Sequence, residues 1–374
     1  MIYRNFKCLI KISQLGFGAM RLPLKDPLRP EEIDENLANE MIEYAVAGGI
    51  NYFDTAWGYH RRQSEMFLGR ALKPYREKIL LATKLPIYLV EKKGDPERIL
   101  NQQLKRLNTE WIDMYLLHGL NQDSWKMVKE FDVLDFLQRK KGEEFRFVGF
   151  SFHDEFNLFT EIIDAFPWDL CLIHLNYVDT HHQAGIRGLE YAYDKGVPVF
   201  IMEPLRGGKL ARNLPPEIMS IIEKTGKSPV QFALQFLFNR PEITCVLSGM
   251  STLKEVRVNI EFAAHDYRNY LTEKDLNLYQ KVRELFLRRV PIPCTLCRYC
   301  LPCREGIPIP FLISLYNDAI TYNSFDDSSR EYNLFIRPDQ KPDRCTDCGE
   351  CEKKCPQGIE IRSVIKEIDQ KLSR

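Results

Sequence analysis

The 374-residue chain has no surplus charge of either sign, because 52 Lys and Arg stand against 52 Asp and Glu. That balance removes the electrostatic argument for nucleic acid or an anionic membrane surface as a partner. No apolar run comes near the ~20 residues that a membrane-spanning helix needs. Low-complexity tracts and short repeats are absent as well. No G-x-G-x-x-G follows a strand-like segment, which speaks against a doubly wound dinucleotide-binding sheet. Lysines interrupt the apolar residues of Met1–Lys11, so no signal peptide is expected and the expected location is the cytoplasm.

Cysteine is scarce up to residue 293. Cys8, Cys171 and Cys245 each sit alone in apolar surroundings and read as packing residues. The other eight are crowded into the C-terminal tail in two runs: Cys294, Cys297, Cys300, Cys303 and Cys345, Cys348, Cys351, Cys355. The second run is C-x2-C-x2-C-x3-C-P, the spacing that wraps cubane iron–sulfur clusters; the first has two residues before its last cysteine. Each C-x2-C-x2-C stretch supplies three thiolates to one cluster, and the fourth cysteine typically reaches across to the other. One [4Fe–4S] cluster is therefore assigned to Cys294, Cys297, Cys300 and Cys355, and a second to Cys345, Cys348, Cys351 and Cys303. Structural zinc would use two pairs of ligands rather than two runs of four, and a reducing cytoplasm disfavours disulfides.

Ahead of the tail, short apolar runs alternate with amphipathic stretches, the pattern of βα units. Strands are expected at residues 14–18, 50–54, 79–83, 114–118, 147–151, 170–175, 197–201 and 245–247. Helices are expected at 31–47, 64–72, 96–107 and 184–194 among others. Eight such units in ~250–285 residues is the size of a (β/α)8 TIM barrel. The tail is expected to be mainly helical, with helices at 309–322 and 361–371 and a stiff Pro291-Ile292-Pro293 junction after a helix near 276–289. The expected division is thus 1–285 for the barrel and 286–374 for a ferredoxin-like domain.

Barrel enzymes do their chemistry at the C-terminal ends of the strands. There the sequence places Asp54, then Tyr59, then Lys84, then His118. In this order, on these strands, the four resemble the catalytic tetrad of the aldo-keto reductases. Leu15–Pro23, Gly149–His153, Glu203–Gly208 and Ser248–Ser251 are similar to segments of the same family, and the likeness covers residues 1 to 285. With the tail, the chain resembles the subgroup that carries a C-terminal 4Fe–4S ferredoxin-type domain.

The resemblance implies a nicotinamide-dependent enzyme interconverting a small carbonyl compound and its alcohol. Tyr59 would be the acid, Lys84 would lower its pKa, Asp54 would hold Lys84, and His118 would orient the carbonyl. Ser151 and His174 would lie near the nicotinamide and Asn259 near the adenine. Pro204, Leu205, Arg206 and Gly207, with Lys209 as a further cation, and Ser248, Gly249, Met250 and Ser251 would surround the phosphates. Either NADP(H) or NAD(H) would serve. Gly249 and Glu255 replace the basic residues that usually hold the 2′-phosphate, a carboxylate would repel it, and Lys254 is the substitute cation. Met202 stands for the usual stacking tyrosine, His174 for a glutamine, and Arg304 for the proline expected after Cys303.

A hydride carries two electrons and a cluster passes one, so a connection between them implies a flavin and a ferredoxin-like or other redox protein as partner. The alternative function is a nucleotide-binding redox subunit with little carbonyl reductase activity of its own. Trp57, Tyr88, Trp125 and Tyr177 suggest a partly apolar pocket or plain core packing.

Overall fold

The structure is a computed structural model that describes residues 1–7, 10–27 and 29–373; Cys8 lies outside the described residues. Two compact units are present, Met1–Gly207 with Val230–Thr272, and Gly208–Pro229 with Glu273–Arg374.

The first unit opens with a hairpin, β1 (Tyr3–Phe6) and β2 (Ile10–Ser13), paired antiparallel with Tyr3 opposite Ser13. Eight strands follow: β3 (Leu15–Gly18), β4 (Tyr52–Asp54), β5 (Leu80–Leu85), β6 (Ile112–Leu120), β7 (Phe145–Phe152), β8 (Leu170–His174), β9 (Val199–Met202) and β10 (Ile243–Ser248). They close in chain order into a parallel barrel, β10 pairing with β3. Parallel strands covered on both faces bury nearly every residue, which is why β5 and β10 read as unbroken buried runs.

The barrel is the fold expected from the sequence, and the hairpin is new. Its strands have four residues each, with Arg, Asn and Lys interleaved, so their periodicity is too short to stand out. Its role is to plug the barrel. Phe6 and Ile12 join Tyr52, Met114, Leu172 and Phe200 in one buried cluster, and Phe6 meets Phe147 edge-on at 5.0 Å. Arg4, 5% exposed, donates to the carbonyls of Phe238, Arg240 and Ile243. These bonds tie the hairpin to the chain that enters β10.

Helix boundaries follow local chemistry. The first helix, Glu35–Ala47, begins four residues later than the periodicity suggests, because Asp34 caps it by accepting from Leu37 N–H. The helix Asp95–Leu107 has Pro96 and two acids in its first turn, two bases in its last, and Asn108 left-handed at its end (φ 48°).

In the second unit the described residues form helices and no strand, as expected of the tail. Helices Ile309–Thr321, Phe325–Phe335 and Ile361–Leu372 enclose Leu312, Leu315, Tyr316, Tyr332, Ile365 and Ile368, and six of the eight tail cysteines pack against this core. Ile361, Ile365, Ile368 and Leu372 are the buried face of the last helix, at the spacing of a single stripe. Among the described residues no helix is long and apolar enough to cross a membrane.

Phe6→Ala is expected to lower the unfolding free energy of the barrel by about 3–5 kcal/mol, since it empties the plug. Denaturant unfolding followed by near-UV circular dichroism checks this, and an unchanged midpoint would mean that the hairpin is dispensable.

Candidate active site and cluster sites

Asp54 ends β4, Lys84 lies on β5, and the strand pairing sets Asp54 beside Ala82 and Lys84 beside Leu116. Both side chains point into the same buried space. Lys84 Nζ donates to Asp54 Oδ1 at 2.5 Å, to the Thr55 carbonyl at 2.8 Å and to Tyr59 Oη at 3.4 Å, using its three protons on three acceptors. Asp54 also accepts from Tyr52 Oη at 3.4 Å. Lys84 is 1% exposed. Burial acts against its charge, but Asp54 and Tyr59 outweigh it, so the ammonium is held above the usual lysine range. Burial draws Asp54 upward, and Lys84 pulls it back.

Lys84 draws the Tyr59 phenol downward, as expected, but it is not the larger influence. Burial raises it and exceeds the pull of Lys84, so the side chain stays protonated across the neutral range. His118 lies beside it, the rings 6.1 Å apart and nearly perpendicular. β6 and β7 slip in register between Leu117 and Leu120, the segment that carries His118. The Ser151 hydroxyl holds this irregularity by accepting from Gly119 N–H at 2.8 Å. Burial and Lys84 push His118 down to about 3, and its Nδ1 is buried without a hydrogen-bond partner among the described residues.

The turn after Tyr59 is strained. His60, Arg61 and Arg62 all have positive φ, a conformation that side chains ordinarily avoid. His60 pins it, its Nε2 accepting from Leu22 N–H at 3.1 Å and its Nδ1–H donating to the Pro30 carbonyl at 2.8 Å. Accepting at one nitrogen and donating at the other requires the neutral ring, which burial favours.

Around the mouth, His174 Nε2 is 2.9 Å from Asp179 Oδ2, which also accepts from Asn176 and from Arg206. Asp179 is thereby held well below the usual carboxylate range, although burial alone would raise it. Neither base of the loop after β9 is uncommitted: Arg206 is tied to Asp179, and Lys209, in the second unit, lies 2.8 Å from Asp318 and 3.3 Å from Glu331. Both were expected to face phosphate. Sequence reading missed Arg21, whose side chain runs past Gly207 and Gly249, so close that a methyl group on Gly207 would stand 2.6 Å from its guanidinium. Its only sequence signal is its place in the segment after β3.

After β10, Asn259 is buried and donates to Ser248 Oγ at 3.1 Å; Met250 is buried, and Ser251 Oγ donates to the Arg21 carbonyl. Thr252 caps the helix Leu253–Phe262, and Glu255 folds back to accept from Ser251 N–H at 2.7 Å and Thr252 N–H at 3.2 Å. The helix N-terminus therefore already holds an anion of its own chain. Pro204 is buried, and Leu205 half-buried. Two aromatic candidates are packing residues: Trp125 is 1% exposed and donates to Glu161, and Tyr177 meets Phe232 edge-on in the interior. Trp57 is also buried, with Arg106 stacked over it at 4.4 Å, and only Tyr88 is open to solvent.

In the second unit the tail cysteines surround two adjoining cavities. Cys294, Cys297, Cys300 and Cys355 line one; Cys303, Cys345, Cys348 and Cys351, with Cys300 between, line the other. Among the described residues no three of the usual ligand types converge on a single ion. Four sulfurs around a cavity suit a cluster with an iron for each. Burial and neighbouring cysteines push the Cys300 thiol up to about 11, so a strongly positive group such as iron is what would hold these sulfurs as thiolates. Cys171 and Cys245, buried in the barrel, are packing residues.

A closed barrel with this mouth, joined to a helical cysteine unit, defines a class of barrel oxidoreductase, and the comparisons with known proteins agree. Residues 14–277 match the model of the aldo/keto reductase family, and residues 293–360 that of the 4Fe-4S dicluster domain. The chain belongs to the aldo/keto reductase family, in the subgroup with a C-terminal 4Fe-4S domain, and is an oxidoreductase. L-galactose dehydrogenase of Arabidopsis thaliana is 29% identical over 275 residues, covering 67% of this chain and 84% of that protein. The holo form of the aldo-keto reductase AKR11C1 from Bacillus halodurans superposes with a TM-score of 0.63 at 25% identity, over 75% of this chain and 96% of that one. An aldo/keto reductase from Klebsiella pneumoniae solved with NADP and acetate shares the fold, with a TM-score of 0.58 at 19% identity over 75% and 95% of the two chains.

His118 is depressed in the folded state and near 6.5 when unfolded, so the unfolded chain binds more protons between these values. Its contribution to stability is therefore full above pH 6.5 and is lost as the pH falls toward 3. Nitrogen chemical shifts of labelled imidazole should show His118 neutral from pH 8 down to about 5, and a titration near 6.5 would refute the assigned burial effect.

Proposed function

We propose that the barrel interconverts a small aldehyde or ketone and its alcohol with a nicotinamide nucleotide, and that the tail carries two [4Fe–4S] clusters that pass electrons. The carrying observation is the Lys84 ammonium set between Asp54 and the Tyr59 hydroxyl beside a neutral His118. Residues 1–285 are taken as the catalytic part, 286–374 as the cluster part, and the reducing cytoplasm as the setting that keeps the thiols free.

The nicotinamide, when bound, supplies the hydride to the carbonyl carbon. Tyr59 gives its hydroxyl proton to the carbonyl oxygen, which completes the alcohol. Lys84 steadies the phenolate left behind, and Asp54 keeps Lys84 charged and in place. Neutral His118 donates a ring N–H to the same oxygen as negative charge grows there. Burial that keeps Tyr59 protonated suits the reductive direction, because the acid is loaded at neutral pH.

Arg21 takes the pyrophosphate, since Arg206 and Lys209 are already paired with carboxylates. Pro204, Leu205, Gly207, Ser248, Gly249, Met250 and Ser251 shape the loops around it, His174 and Ser151 flank the nicotinamide, and Asn259 lies toward the adenine. Glu255 occupies the helix N-terminus where a further phosphate would sit, so NAD(H) is favoured over NADP(H). The sugar specificity in the name of the Arabidopsis relative makes hydroxylated aldehydes the first substrates to test. Cys294, Cys297, Cys300 and Cys355 hold one cluster, and Cys303, Cys345, Cys348 and Cys351 the other; a flavin would be needed to split the hydride pair between them.

Tyr59→Phe should lower carbonyl reduction by about 10²–10⁴-fold with nucleotide affinity unchanged, measured as kcat and as nucleotide binding by fluorescence. Unchanged kcat would overturn the assignment of the acid. Glu255→Lys should improve KM for NADPH and leave NADH little changed, whereas no shift in the ratio would place the nucleotide phosphates elsewhere. NADH titration of anaerobic protein, followed by cluster absorbance and EPR, decides whether barrel and clusters exchange electrons.

A further inference from the structure

The two cysteine runs present different surfaces. In the second run the exposed Cys348 stands between Asp347 and Gly349. The acids of this run are satisfied within the unit: Asp347 by Lys366 at 2.8 Å, Glu350 by Lys353 at 2.8 Å, and Glu352 by Arg362 at 2.8 Å.

The first run differs in both respects. Its exposed Cys297 is flanked by Leu296, 42% exposed, and lies close in sequence to Tyr299, 65% exposed. Leu296 and Arg298 both have positive φ, so the chain holds these side chains on a strained loop. Arg298 and Arg304 are exposed, no acid lies between them, and Arg298 makes no ion pair among the described residues. Arg304 and Lys354 line the other cavity together with Glu305 and Glu350, so Arg298 is the base that belongs to the cavity of Cys294, Cys297, Cys300 and Cys355.

We propose that the Leu296–Arg304 loop is the docking surface for an acidic ferredoxin, and that the cluster of Cys294, Cys297, Cys300 and Cys355 is the one that trades electrons with it. This rests on the cluster reading above. An exposed tyrosine and leucine beside an arginine without an ion pair is the composition that gives a small interface its anchor, and the uncompensated positive charge of Arg298 selects an acidic face. One electron moves in either direction: the reduced cluster loses it, the ferric centre of the ferredoxin gains it, and no proton or bond is involved. Such encounters are small and transient, so charge steering carries much of the specificity.

The test uses anaerobically purified full-length protein with its clusters intact, and a plant-type [2Fe–2S] ferredoxin as the probe. Binding is read by calorimetry at low and high ionic strength, and electron transfer from the dithionite-reduced protein by stopped flow. Arg298→Glu and Tyr299→Ala should each weaken binding about tenfold. Salt should weaken the parent complex and have little effect on the Arg298→Glu complex. Cluster EPR and NADH-dependent aldehyde reduction should stay as in the parent.

Unchanged affinity in both variants would overturn the proposal. Equal binding of cytochrome c, a basic carrier, would do so too. A shift in the cluster's midpoint potential without any change in binding would mean that Arg298 only offsets the cluster's charge. Loss of self-association in the variants would make the loop an interface between copies of this chain. Protein that holds no iron would overturn the cluster reading itself, which iron and sulfide analysis reports separately.

Discussion

The mouth of the barrel depends on one buried ion pair, Lys84 with Asp54. Removing two charges from water costs several kcal/mol each, and their attraction repays this only when the remaining hydrogen-bonding capacity is filled. Here it is filled: Lys84 also reaches the Thr55 carbonyl and Tyr59, and Asp54 also accepts from Tyr52. A further layer holds the backbone of Lys84, because Gln103 donates to its carbonyl and to Glu65, and Glu65 accepts from Thr83. The strain in the turn after Tyr59 is tolerated because its ends are tied to this network and to His60. Left-handed residues cost roughly 1–2 kcal/mol each in L-amino acids, so three in succession need firm anchoring.

The same principle limits where a nucleotide phosphate can be met. A base already paired with a carboxylate offers little charge to a ligand, and Arg206 and Lys209 are both so paired. Glu255 goes further and fills a helix N-terminus with its own carboxylate. Two of the charges that a linear reading assigns to ligand binding thus serve the fold. The side chain that does lie between the two loops, Arg21, comes from a third loop on the far side of the barrel seam. The second unit applies the opposite economy of charge: the acids of its second cysteine run are paired, while Arg298 in the first is not.

Much of this was legible in the linear chain. Strand periodicity, strand order and the cysteine spacing are local properties, and they led to a closed barrel of eight strands and a helical cysteine unit. Asp54, Tyr59, Lys84 and His118 were legible as a set because a barrel brings consecutive strand ends to one face. The hairpin β1–β2 was not, since four-residue strands carry too little pattern. The start of the first helix was displaced by Asp34, whose capping role depends on a single backbone contact.

Architecture and the inventory of reactive groups are written along the chain, because both follow from short-range periodicity and residue type. The state of those groups is set in three dimensions. That Tyr59 stays protonated, that His118 and His60 are neutral, that Arg206 is paired and Arg21 lies along the loops are consequences of burial and of neighbours distant in the chain. Desolvation and Coulomb interactions act across space, and no spacing rule along the chain encodes them.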